Sequence, residues 1–157
     1  VRGLATCAAV EVDDVHSRGA ERAIDDKSEG FVARTREAGA ANLILDIVGG
    51  DYIARNIKAA APDGRIIQLA FRAGSKVEID LMAVMLKRLT FTGSTLRSRP
   101  DAFKSRTASD LNVRVWPWLA SGDLRTHTHR VFPFAEAGAA HAMMEAGEHR
   151  GKILITP

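Results

Sequence analysis

Leu43-Ile44-Leu45-Asp46-Ile47-Val48-Gly49-Gly50 is an unbroken apolar run with one acid inside it and two glycines at its end. It is far shorter than the ~20 residues of a membrane span. It is also too apolar for a strand with one wet face, so it reads as a strand buried on both sides of a parallel sheet. The glycine pair removes side chains where the chain leaves the sheet. In an open α/β sheet that edge is where ligands lie against backbone.

Strand and helix signals alternate on either side of this run. Strands are expected at residues 3–6, 22–24, 65–70, 89–94 and 152–156, with a brief extended link at Val131 and Phe132. Helices are expected at 8–18, at 52–60 before a Pro62-Asp63-Gly64 turn, at 82–87, from Asp101 to about Ala120 with Gly122 as its cap, and at 135–146. Ser28 is placed to cap a further helix that Gly39 ends. Val77, Ile79 and Leu81 alternate with Glu78 and Asp80, the period-2 pattern of an edge strand. Such alternation predicts an α/β fold, a mostly parallel, doubly wound sheet with right-handed crossovers.

Composition narrows the function classes. With 157 residues, 46% hydrophobic and 26% charged, the chain is long enough for one ordinary domain with a core. The formal charge of +3 is small, and no basic stripe carries interleaved aromatics, which argues against nucleic acid as a partner. No apolar stretch approaches membrane-spanning length and no signal-peptide core opens the chain, so no membrane partner is expected. A single cysteine, Cys7, rules out an internal disulfide framework and suits a reducing cytoplasm. The chain begins at Val1, without Met and inside apparent structure, which reads as a piece of a longer polypeptide.

Residues with chemical potential are few. His127 and His129 could place two imidazoles on one side of a strand, but with His16, His141 and His149 they find no cysteine or acid pair to complete a ligand set, so no metal site is expected. Cys7 has no basic neighbour to lower its pKa and reads as an inert small hydrophobe. Trp116, Trp118 and Phe134 read as core.

Five segments occur in a telling order. They are 18–25 (RGAERAID), 46–50 (DIVGG), 61–71 (APDGRIIQLAF), 86–97 (LKRLTFTGSTLR) and 148–155 (EHRGKILI). Together they resemble the carboxyl-terminal part of the zinc-independent NADPH:quinone oxidoreductases, the zeta-crystallin-like members of the medium-chain dehydrogenase/reductase superfamily. The resemblance implies a Rossmann-like fold over residues 1–157, lacking its first strand and Gly-rich turn, with the family's N-terminal GroES-like catalytic domain absent. No G-x-G-x-x-G cluster precedes Gly49. In the strand order 3-2-1-4-5-6 the first strand is central, so its loss either marks a fragment or forces a non-standard order.

The resemblance also implies a function: NADPH-dependent reduction of a quinone or enone by hydride transfer, with NADH possible. Two alternatives stand beside it, a non-catalytic remnant that dimerises or binds nucleotide weakly, and an acyl-modifying reductase module. Cofactor contacts would lie at three strand ends, Val48-Gly49-Gly50, Ala70-Phe71-Arg72 and Ser94-Thr95-Leu96. No catalytic residue can be named. Where family members hold a Gly-Ser pair, a Lys and a Tyr around the 2′-phosphate of NADPH, this chain has Cys7 and Ala8, Glu11 and Asp26. The two acids are either solvated surface groups or a source of repulsion toward phosphate. The 77–81 strand would pair with its twin in a homodimer.

Overall fold

The computed structural model describes residues 2–147 and 149–157; Val1 and Glu148, the first residue of the last motif, lie outside the described residues. The chain divides into two compact units, Val1–Arg97 and Ser98–Pro157.

The first unit runs β1 (Leu4–Cys7), α1 (Val12–Ser17), β2 (Arg22–Asp25), α2 (Phe31–Glu37), β3 (Ala41–Asp46), α3 (Tyr52–Ala59), β4 (Ala60–Gln68), α4 (Met82–Leu86) and β5 (Thr90–Gly93). A 3₁₀ turn, Ala9–Glu11, leads into α1. Every pairing is parallel: β1 with β2, β3 with β4, and β4 with β5. The fold is therefore Rossmann-like, as expected. Among the described residues no ladder joins β1 to β3. The gap falls where the order 3-2-1-4-5-6 places its first strand.

Side chains bridge what hydrogen bonds do not. Ile24, Phe31 and Ala59 form a buried cluster touched by Leu4 from β1 and by Ile44 from β3. A second cluster sets Ile53 and Ile57 of α3 against Ala60 and Ile66 of β4. Ile24 and Ile66 are almost wholly enclosed, each contributing roughly 1.5–3 kcal/mol by burial.

Four expectations for this unit need correcting. The Leu43 run is not buried on both faces: Leu43 is 56% and Leu45 62% exposed. The face carrying Ile44 and Asp46 meets the core, and the face carrying Leu43, Leu45 and Ile47 is open. Residues 77–81 form no strand pairing among the described residues. Ile79 is drawn against the Ile53–Ile57 cluster, and Asp80 Oδ1 accepts the Met82 N–H at 2.8 Å, which converts the extended run into α4. Ser28 does not cap α2, because its hydroxyl donates to Asp25 and leaves Gly30 in the cap position. The Pro62-Asp63-Gly64 turn lies inside β4, as a register break between the Ala41–Ala60 and Leu43–Arg65 pairs.

The second unit contains α5 (Asp101–Arg114), α6 (Trp116–Ser121), β6 (Thr128–Pro133), α7 (Ala137–Ala146) and β7 (Lys152–Thr156), with β6 parallel to β7. The helix expected from Asp101 to Ala120 breaks at Val115, because Pro117 has no N–H and suits only a first turn. Gly122, left-handed at φ +81°, ends α6 as anticipated. Trp116, Trp118 and Phe134 are exposed rather than core. Phe132 and Ala140 are the buried apolar residues described in this unit, too small a centre to enclose three rings. No described helix is long and apolar enough to cross a membrane.

Candidate functional site

The carboxyl ends of β3, β4 and β5 form one rim. Asp46, Gln68 and Gly93 stand in register across the three strands. Leu69 N–H donates to Asp46 O at 2.8 Å and Ser94 N–H to Gln68 O at 3.1 Å, so the exits stay side by side. The three predicted tips therefore come together. Ala70, Phe71, Arg72, Ser94, Thr95 and Leu96 are all exposed along this edge.

Val48, Gly49 and Gly50 sit lower. Gly49 and Gly50 are buried beneath the turn formed by residues 71–74. Ala73 N–H donates to Val48 O at 2.7 Å, Arg72 N–H to Ile47 O at 3.3 Å and Gly50 N–H to Gly74 O at 2.9 Å. A Cβ on Gly49 would stand 2.7 Å from Gly74 O, and one on Gly50 would stand 2.8 Å from Ala73 O. Both glycines have positive φ, so bare backbone is required twice over. What their absent side chains admit is the chain's own second turn, which in turn supports the exposed Ala70-Phe71-Arg72 ledge.

The acid inside the apolar run explains how the turn is fixed. Buried Asp46 accepts Val48 N–H at 2.6 Å and Gly49 N–H at 3.0 Å on Oδ1, and Asn56 Nδ2–H at 2.9 Å on Oδ2. A buried carboxylate with three donors is a stable arrangement. Gln68 Nε2 donates to Ala70 O at 2.6 Å and ties the β4 exit to the same network. Its Oε1 is buried without a partner among the described residues. Sequence reasoning missed Asn56 and Gln68; an acid two residues before Val48-Gly49 was the available signal for an Asx-type turn.

A second corner lies at the carboxyl ends of β1 and β2. Asp26 N–H donates to Cys7 O at 3.0 Å, and Glu11 Oε2 accepts Ala8 N–H at 3.1 Å. Burial pushes the Cys7 thiol pKa up, and the charges of Glu11, Asp25 and Asp26 push it further. Cys7 therefore stays a thiol, in keeping with its inert reading. Nearby, the Arg55 guanidinium lies 4.4 Å from the Phe31 ring centroid and 4.6 Å from that of Tyr52. Burial raises the Tyr52 hydroxyl pKa, with the Asp26 charge next in effect.

His129 Nδ1 accepts Arg150 N–H at 3.4 Å, and Gly151 packs on His127. Among the described residues no three His, Cys, Asp or Glu groups could hold a metal ion.

Comparison with known proteins gives the family and the fold. The profile of the zinc-binding dehydrogenase family matches residues 18–155. Quinone oxidoreductase-like protein 2 of Bos taurus is 24% identical over 122 residues, 76% of this chain and 34% of that protein. The chain thus spans about a third of that relative's length. A Pseudomonas syringae pv. Tomato DC3000 quinone oxidoreductase structure superimposes with a TM-score of 0.78 at 22% identity, covering 99% of this chain and 49% of that one. The rspB short chain alcohol dehydrogenase of E. coli CFT073, complexed with NADH, gives 0.79 at 21% identity, covering 99% and 44%. A family match over most of the chain, joined to a parallel sheet whose exits form one open rim, places this protein in the zinc-binding dehydrogenase family of the medium-chain dehydrogenase/reductase superfamily.

Proposed function

We propose that this chain is the coenzyme-binding part of an oxidoreductase that reduces a quinone or enone with a nicotinamide dinucleotide. The carrying observation is the common rim: the β4 and β5 exits present Ala70-Phe71-Arg72 and Ser94-Thr95-Leu96 as exposed neighbours at the edge where open α/β sheets take ligands. Val48, Gly49 and Gly50 support this ledge from beneath. A bound nicotinamide supplies the hydride; the protein orients the ring and limits access of water. Ala70 leaves room for a flat ring, Phe71 offers an apolar wall, and Ser94 and Thr95 carry hydroxyls able to bond a carboxamide or ribose. The resemblance implied NADPH, and the adenosine end decides between the two coenzymes.

Residues 77–81 lead into α4 with Val77 and Leu81 exposed. They are the surface we assign to homodimer pairing. Calorimetric titration with NADH tests the coenzyme reading. Weak binding that Ala70→Trp or Thr95→Trp abolishes without moving the thermal midpoint supports it. Binding indifferent to both changes, or none at all, contradicts it. The 157-residue chain alone is expected to show no quinone-dependent coenzyme oxidation.

A further inference from the structure

The corner formed by the ends of β1 and β2 does not fit the 2′-phosphate that the resemblance implied. A phosphate dianion needs free donors and positive charge. Three backbone donors here are already engaged: Ala8 N–H by Glu11 Oε2, Asp26 N–H by Cys7 O, and Lys27 N–H by Asp25 Oδ1 at 3.1 Å. The side chains add acceptors and negative charge: the Asp26 carboxylate, and those of Glu11 and Asp25, which already hold Ala8 N–H and the Lys27 N–H and Ser28 hydroxyl. Lys27 is the ammonium acting on Asp25. Arg55 lies beside the stacked Phe31 and Tyr52 rings and 3.7 Å from Asp51. Three carboxylates against the Lys27 ammonium leave the corner negative.

A ribose with free 2′ and 3′ hydroxyls has the opposite chemistry. It brings donors, and carboxylates at the carboxyl ends of the two strands beyond the missing one, here β1 and β2, can accept them. We infer that the adenosine corner selects an unphosphorylated ribose, so that the coenzyme taken is NADH and a 2′-phosphate is turned away. This rests on the coenzyme reading above. Glu11 holds the 3₁₀ turn through Ala8. Asp26 makes its bond through backbone and leaves its carboxylate for the ribose.

The test uses the 157-residue chain, ¹⁵N-labelled, titrated at low salt with NADH and with NADPH. NADH is expected to shift the amides of Cys7, Ala8 and Asp26, with NADPH weaker by about tenfold or more, the scale of a close like-charge contact. NADPH binding as tightly as NADH, or more tightly, overturns the inference and leaves the coenzyme reading standing. No response to either coenzyme overturns the coenzyme reading itself. In Asp26→Asn, which keeps the backbone bond to Cys7, the NADH preference should shrink several-fold. In Glu11→Lys it should reverse. An unchanged ratio in both variants, with native circular dichroism, also overturns the inference.

Discussion

Gly50 donates its N–H to the carbonyl of Gly74 at 2.9 Å, and a Cβ on the adjacent Gly49 would stand 2.7 Å from that same oxygen. The β3 exit and the turn after β4 are thus packed backbone against backbone. Gly49→Ala should destabilise the chain by about 2–4 kcal/mol, combining left-handed strain with overpacking. Gly19→Ala, at φ +91° but with nothing within 4 Å, should cost only about 1 kcal/mol. Urea denaturation of the two variants checks the contrast.

Asn56 is the partner that completes the Asp46 carboxylate. Asn56→Ala leaves Asp46 Oδ2 buried without its donor, at a cost of about 1–3 kcal/mol. The thermal midpoint should fall accordingly, and Asn56→Asp should be worse, since it sets two carboxylates together in the core.

Lys87 closes the end of α3. Its Nζ donates to the carbonyls of Ile57, Lys58 and Ala60 at 2.9, 3.0 and 2.8 Å. Lys87→Met keeps the stem's packing and removes the cap, and should cost about 1–3 kcal/mol in urea denaturation. Lys87→Arg should recover part of that loss.

The Asp25 carboxyl is held below its ordinary pKa, first by the Ser28 hydroxyl and next by the Lys27 N–H. Stabilisation from this turn is therefore present above the ordinary carboxylate value and is lost as pH falls through the lowered folded one. Side-chain carboxyl NMR titration should find Asp25 below a free aspartate, and Ser28→Ala should move it back up.

If the exposed 77–81 surface pairs with its twin, the chain self-associates. Sedimentation should show a dimer, and Val77→Lys, which places a charge on the exposed edge, should weaken it at least several-fold. A monomer for the parent chain would remove this interface.

The parallel architecture was legible because Leu43–Gly50, Arg65–Ala70 and Leu89–Ser94 each carry an apolar run ending in turn residues, and local pattern suffices for that. The common rim followed from parallel direction alone. What the pattern could not reveal depended on neighbours. Leu43 and Leu45 look like core in sequence, yet exposure is decided by what covers a sheet face. Ile79 alternates like a strand residue, yet its burial against Ile53 and Ile57 took precedence over pairing. Trp116 and Trp118 carry the composition of a core without a unit large enough to enclose them. At the site, Gly49 and Gly50 were identified as bare backbone, but their partner, the turn at Phe71–Gly74, is distant in sequence and left no local signal.

Amide chemical-shift mapping of the intact chain with millimolar NADH tests the rim most directly. The account predicts shifts gathered at Ala70, Phe71, Arg72, Ser94, Thr95 and Leu96, together with those of Cys7, Ala8 and Asp26, and smaller ones at Val48, Gly49 and Gly50. Shifts confined to residues 98–157, or no shifts at all, would contradict it.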